Sequence, residues 1–181
     1  MIDKNLKRAI FLDRDGVLNK AIVRDGKPYP PNTLAEVEIL PGVLESLLKL
    51  KAADYLLIVV TNQPDVARGK KTRQSVIKVH KLLGKELPLD EFYTCFHDDV
   101  DQCACRKPAP GLLFQAAEEY NIDLNRSYMI GDRWRDVEAG QRAGCKSIFI
   151  EYGYSEKQPD KMDYCVSSFP DAVSIILENL G

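Results

Sequence analysis

The stretch Ala9-Ile10-Phe11-Leu12-Asp13-Arg14-Asp15-Gly16 decides the fold. Four apolar residues run without alternation into a carboxylate, and a second carboxylate and a glycine follow at once. An unbroken apolar run of this length, closed by a turn signal, suits a strand buried on both faces, as in a parallel sheet. The pattern recurs down the chain. Residues 55–60 form a β-rich run leading into Thr61-Asn62-Gln63, residues 92–96 are strand-like, and 127–130 lead into Gly131-Asp132. Residues 146–150 form another such run, and 164–166 suit an edge strand. Between them the apolar period changes to that of a helix: positions 43, 44, 47 and 48 within 41–52, where Pro41 sits near the first turn, and Val76, Val79 and Leu83 within 73–86. Helices are also predicted over 111–120, 135–143 and 170–180. Strands alternating with helices of this length predict βαβ units and a mostly parallel sheet, an α/β protein.

The chain has 181 residues, which suits one domain (1–181) with a core of its own. Apolar residues at 45% and charged residues at 29% are a packed protein's balance and argue against disorder. With 25 basic against 27 acidic residues there is no basic field for a nucleic acid. No apolar run approaches a membrane span, the longest being 55–60, and the charged N-terminus does not read as a signal peptide. A cytoplasmic location is expected. The one long irregular stretch, residues 14–40, is rich in Gly, Pro and Asn and reads as a functional flap.

In open parallel sheets, ligands sit beyond the carboxyl ends of the strands. This sequence puts Asp13 and Asp15 there, then Thr61, Asn62 and Gln63, then Arg106 and Lys107, then Asp132 with Asp136 a turn later. Packed carboxylates repel, and a hard cation with oxygen ligands, Mg²⁺, relieves them. A carboxylate also serves as a nucleophile, and a second one two residues on as acid and base. A hydroxyl and an ammonium suit phosphoryl oxygens, so the set points to phosphoryl transfer.

A second constellation is Cys95-x-His97 and Cys103-x-Cys105. Three thiolates and an imidazole make a closed tetrahedral set for Zn²⁺, hence a structural site over 95–105. The loop leads straight into Arg106 and Lys107 and would aim both. Cys145 and Cys165 lack such partners and read as buried apolar residues. His80 and Trp134 read as structural.

Asp13-x-Asp15-Gly16, Thr61, Lys107 and Gly131-Asp132 with Asp136 together resemble the four motifs of the haloacid dehalogenase superfamily, over residues 9–150. The resemblance implies a Rossmann-like three-layer sandwich without a large cap domain. It implies Asp13 as nucleophile, Asp15 as general acid/base, and Thr61 and Lys107 steadying the phosphoryl group. Mg²⁺ would be held by the Asp13 side chain, the Asp15 backbone carbonyl and Asp132, with Asp136 orienting Lys107 or a metal-bound water. The zinc loop, with Asp-Arg-Asp-Gly-Val-Leu-Asn at 13–19 and Thr-Asn-Gln at 61–63 followed by Ala-Arg-Gly at 67–69, resembles the subgroup of D-glycero-D-manno-heptose 1,7-bisphosphate 7-phosphatases and histidinol-phosphate phosphatases. That subgroup implies a monomer acting on a small phosphorylated metabolite, with Asn62, Gln63 and Arg106 facing the substrate. The 61–69 segment favours the heptose branch, part of lipopolysaccharide or nucleotide-activated heptose biosynthesis, and Arg106 or Arg68 suits the remote phosphate of a bisphosphate sugar. Pro64-Asp65 departs from the Ser-Gly usual there. The rival classes are a phosphate-receiver domain, a zinc-based binding module and a nucleic-acid 3′-phosphatase.

Overall fold

The computed structural model describes residues 6–180. Strand β1 spans Arg8–Leu12, and β2 (Ile22–Arg24) and β3 (Lys27–Tyr29) form a small antiparallel hairpin. Helix α1 (Val43–Ala52) leads to β4 (Tyr55–Asn62), α2 (Arg73–Glu86) to β5 (Glu91–Cys95), and α3 (Gly111–Tyr120) to β6 (Tyr128–Gly131). Helix α4 (Trp134–Ala143), β7 (Lys146–Ile150), β8 (Tyr164–Val166) and α5 (Phe169–Glu178) complete the order.

Six strands form one parallel sheet in the order β5-β4-β1-β6-β7-β8. The even-numbered side chains Ile10 and Leu12 of β1 join a core with α1, α2 and α5, containing Leu47, Leu83 and Ile176. The odd-numbered Ala9 and Phe11 face a second core with Leu112 and Leu113 of α3 and Ala139 of α4. This is the expected three-layer α/β sandwich, and its two cores follow from the period-2 alternation of one strand. The chain first builds outward from β1 through β4 to β5, then crosses back to β6. Beyond the carboxyl ends of β1 and β6, where the order reverses, a crevice must open.

Element bounds differ from the sequence reading by no more than two residues, and two of these differences are instructive. Strand β4 continues through Thr61 and Asn62 because both pair with β5, at Thr94 and Cys95. Helix α1 starts only at Val43, because Gly42 before it takes a left-handed φ of 74°. The stretch 14–40 is not wholly irregular: it holds the hairpin and a short 3₁₀ turn at Leu34–Glu36. Cys145 is buried as expected, but Cys165 is exposed, since it lies on the edge strand β8 and faces away from the core. No helix among the described residues is long and apolar enough to cross a membrane.

Candidate active site

At the carboxyl edge of β1, β4 and β6 lies a cavity of about 370 Å³, lined by Asp13, Asp15, Thr61, Lys107 and Asp136 among others. Strand β1 delivers Asp13, whose backbone N–H donates to Ile130 O of β6 at 3.0 Å. Lys107 reaches into the same place from the loop after β5. Its ammonium lies 3.0 Å from Asp13 Oδ1 and 2.6 Å from Asp136 Oδ1, and it donates to Val60 O at 2.7 Å. Lys107 is only 1% exposed. Burial alone would lower its pKa, but Asp13 and Asp136 outweigh that and raise it, so the cation persists.

Asn62 and Gln63 take part in the framework. The Asn62 side chain brackets the Lys107 backbone, donating to Lys107 O and accepting from Lys107 N, both at 3.0 Å. Gln63 Nε2 donates to Asp15 Oδ2 at 3.0 Å and to Thr61 Oγ1 at 2.9 Å, joining the candidate acid to the candidate phosphoryl ligand. Arg14, which the sequence reading passed over, is the largest fully buried side chain. It donates to both Asp15 oxygens, at 2.8 and 3.1 Å, and its Nη1 lies 3.3 Å from His80 Nε2. Asn19 adds a bond to Asp15 Oδ1 at 2.9 Å. Burial pushes the Asp15 pKa up, yet Arg14, Asn19 and Gln63 together hold it below the usual carboxylate value. A buried arginine between two aspartates leaves no periodic signal, which is why only the structure reveals it.

Asp13, Asp132 and Asp136 place carboxylate oxygens within 4.8 Å of one another, all three buried. Burial first, and then Asp136, pushes the Asp13 pKa up to about 6, although Lys107 opposes the rise. Asp132 is raised well above the ordinary value by burial and by Asp13 and Asp136. Its Oδ1 is buried without a hydrogen-bond partner, while Oδ2 accepts from the Tyr154 hydroxyl at 2.9 Å. One oxygen is thus tied and the other left bare among like charges. An all-oxygen set with an orphaned lone pair fits a hard divalent cation such as Mg²⁺. The chain approaches closely here because residue 16 is glycine. At its φ of 89°, a Cβ would stand 1.9 Å from Asp132 Oδ2. Tyr154 was not found from sequence, since residues 151–158 carry neither helical nor strand periodicity. That segment is fastened by Ser155 N donating to Gly26 O of the hairpin at 2.7 Å, and by Glu156 accepting from Arg133 Nε at 2.8 Å.

Cys95, His97, Cys103 and Cys105 also converge, with ligand atoms within 4.8 Å. Their Sγ atoms are 3.1 to 3.6 Å apart, far beyond a disulfide and close to the edge of a tetrahedron with metal–sulfur bonds of about 2.3 Å. The set fits Zn²⁺ with no position left open. Arg106, in the next turn, is held by Asp99 at 2.9 Å, and Arg135 of α4 bonds the same carboxylate at 2.9 Å. Arg68 is engaged by Asp98 at 2.6 Å. Both arginines singled out for a remote phosphate line the cavity, each with an acidic partner already in place. Pro64 and Asp65 line it too. Lys27, Arg133 and Arg135 add three cations to its wall that the sequence did not single out.

A sheet whose switch point gathers a buried Asp-Lys-Asp cluster beside a second acid defines a phosphoryl-transfer site on an α/β scaffold. Residues 104–172 match the HAD-hydrolase-like family model. A D-glycero-β-D-manno-heptose-1,7-bisphosphate 7-phosphatase of Pasteurella multocida is 35% identical over 94% of this chain and 97% of its own length. One of Helicobacter pylori is 35% identical over 95% and 99%. Among solved structures, the D,D-heptose 1,7-bisphosphate phosphatase of Bordetella bronchiseptica, complexed with magnesium and phosphate, superposes with a TM-score of 0.81 at 28% identity, covering 95% of this chain and 99% of that one. A HAD-like phosphatase structure from Mesorhizobium loti gives 0.74 at 29% identity, covering 97% and 88%. The chain belongs to the haloacid-dehalogenase-like phosphatases, in the family of these heptose bisphosphate phosphatases. It is a phosphatase.

Proposed function

We propose that this phosphatase is a Mg²⁺-dependent phosphomonoesterase that removes the 7-phosphate of D-glycero-D-manno-heptose 1,7-bisphosphate through an aspartyl-phosphate on Asp13. The carrying observation is the Asp13–Lys107–Asp136 cluster at the switch point, 3.0 and 2.6 Å across its two contacts, in a chain matching relatives of that named activity along nearly its whole length. The relatives' coverage also supports one domain over 1–181. The same reading takes the chain as a monomer working in the cytoplasm.

Asp13 attacks phosphorus, the bond from phosphorus to the sugar oxygen breaks, and Asp15 gives its proton to the leaving alkoxide. In the second half, ionised Asp15 takes a proton from water, the hydroxide attacks phosphorus, and the bond to Asp13 breaks to release phosphate. Arg14 favours the ionised form of Asp15, which suits the second half. The incoming phosphate dianion opposes Arg14's field and favours the protonated form needed first. Thr61 and Lys107 bind the phosphoryl oxygens as charge shifts in the transition state. The Asp13 and Asp132 side chains with the Asp15 carbonyl would hold Mg²⁺, which supplies charge neutralisation at those oxygens.

The deciding experiment compares kcat/KM for the heptose bisphosphate, both anomers, and for histidinol phosphate, with Asp13→Asn as control. We expect the heptose ester to lead by about tenfold or more, and Asp13→Asn to lose at least about three orders of magnitude. Histidinol phosphate leading by that margin overturns the substrate, and substantial turnover by Asp13→Asn overturns the nucleophile.

A further inference from the structure

At the opposite edge of the sheet, where β1, β4, β6 and β7 begin, lies a second cavity of about 270 Å³. Its lining brings together Arg8, Arg126, Lys146, Tyr55 and Tyr128, and contains no Asp or Glu. Among the described residues none of the three cations has a carboxylate partner. The Arg8 guanidinium sits 4.6 Å over the Tyr55 ring and donates once, to Ala53 O at 2.8 Å. The Lys146 ammonium is 5.7 Å from the Tyr128 ring centre, and the two tyrosine rings meet edge to face at 6.4 Å.

Tyr55 and Tyr128 are 3% and 5% exposed, yet among the described residues neither hydroxyl has a hydrogen-bond partner. Burial raises the pKa of both phenols, so they stay protonated donors, while Arg8, Arg126 and Lys146 pull that of Tyr55 the other way. All three cations line the same cavity as Tyr55. Two neutral donors and three cations in a lining free of Asp and Glu, with the Asp163 charge felt at Tyr128 from outside it, describe a receptor for a multiply charged oxyanion. The volume is below the range of about 300–1,000 Å³ that drug-sized ligands occupy, so the anion is small.

We propose that this pocket binds a small phosphate-bearing anion, either free phosphate or a short phosphate monoester, apart from the catalytic edge. The inference does not depend on which ester the enzyme cleaves. It is tested on the full chain by following backbone amide NMR shifts during titration with inorganic phosphate and, in a second arm, glycerol 3-phosphate. Ionic strength is held constant with chloride, so that screening of the exposed cations does not change. The amides of Tyr55, Tyr128 and Lys146 should shift saturably, with a midpoint separate from that of Thr61 and Lys107. Arg126 and Lys146 are exposed, so the double variant Arg126→Gln, Lys146→Gln should fold and retain its kcat. Its pocket midpoint should weaken about tenfold or more, the loss of at least one charge-assisted hydrogen bond. Response to one titrant alone identifies the source of the phosphate. The proposal is overturned if the pocket amides fail to saturate while the catalytic ones do, or if the double variant keeps the wild-type midpoint.

Discussion

Asp136 Oδ1 lies 2.6 Å from the Lys107 ammonium, and both side chains are almost fully enclosed. Asp136 does two things at once, because its Oδ2 accepts from Arg133 N at 3.0 Å and closes the first turn of α4. Its approach depends on Gly131, where a Cβ would stand 2.1 Å from Asp136 Cβ. In Asp136→Asn the cap survives through the amide oxygen and Asp13 still balances Lys107. The loss is therefore one charge-assisted contact, about 1–3 kcal/mol of stability. Activity should fall further than stability, since Lys107 is then drawn onto Asp13 and away from substrate oxygens. Urea unfolding alongside kcat/KM checks this, and an unchanged kcat would remove Asp136 from the positioning of Lys107.

Tyr154 ties Asp132 Oδ2 and leaves Oδ1 bare. Hydrogen bonds of this kind to metal ligands are worth about 10–100-fold in metal affinity. Tyr154→Phe should weaken Mg²⁺ binding by that factor in calorimetric titration of the free protein. Saturating Mg²⁺ should then restore most of kcat. Tyr152→Phe is the control, because its ring packs 5.6 Å from Tyr154 while the hydrogen bond to Asp132 comes from Tyr154.

Elemental analysis should find about one zinc per chain, retained when Mg²⁺ is stripped. Cys103→Ser should lower Tm and activity together, because the loop that carries Arg106 and Lys107 loses its anchor. Full activity in zinc-free protein would show that the loop does not position these cations.

His80 is stacked on Phe92 at 4.7 Å and accepts from buried Arg14. Burial, then the Arg14 charge, depresses its pKa from 6.5 to about 4. The folded protein therefore binds fewer protons than the unfolded chain between those values. The stability at stake, on the order of 3 kcal/mol, is fully present above pH 6.5 and is lost as pH falls toward 4. His80→Gln cannot be charged, so its unfolding free energy should drop less than wild type's over that window. Parallel curves for the two proteins would rule His80 out as the source.

The strand runs and helix stripes were legible because burial on both sheet faces demands unbroken apolar sequence, and βαβ spacing then dictates a parallel sheet. The same logic put Asp13, Asp15, Thr61, Lys107 and Asp132 at one edge, because a parallel sheet sends every strand's carboxyl end the same way. The cysteine and histidine set was legible from spacing alone, since its four side chains lie within eleven residues. Tertiary structure alone decided which of these groups touch. Lys107, in the loop after β5, meets Asp136 in the first turn of α4, Asn62 turns onto the Lys107 backbone, and Tyr154 reaches Asp132 from a segment with no period. It also decided that Arg14 is enclosed, that Cys165 is exposed, and that Arg68 and Arg106 arrive with acidic partners. Periodicity reports which face of an element is buried. Contacts between loops depend on where the chain ends of distant elements meet, and no local pattern encodes that.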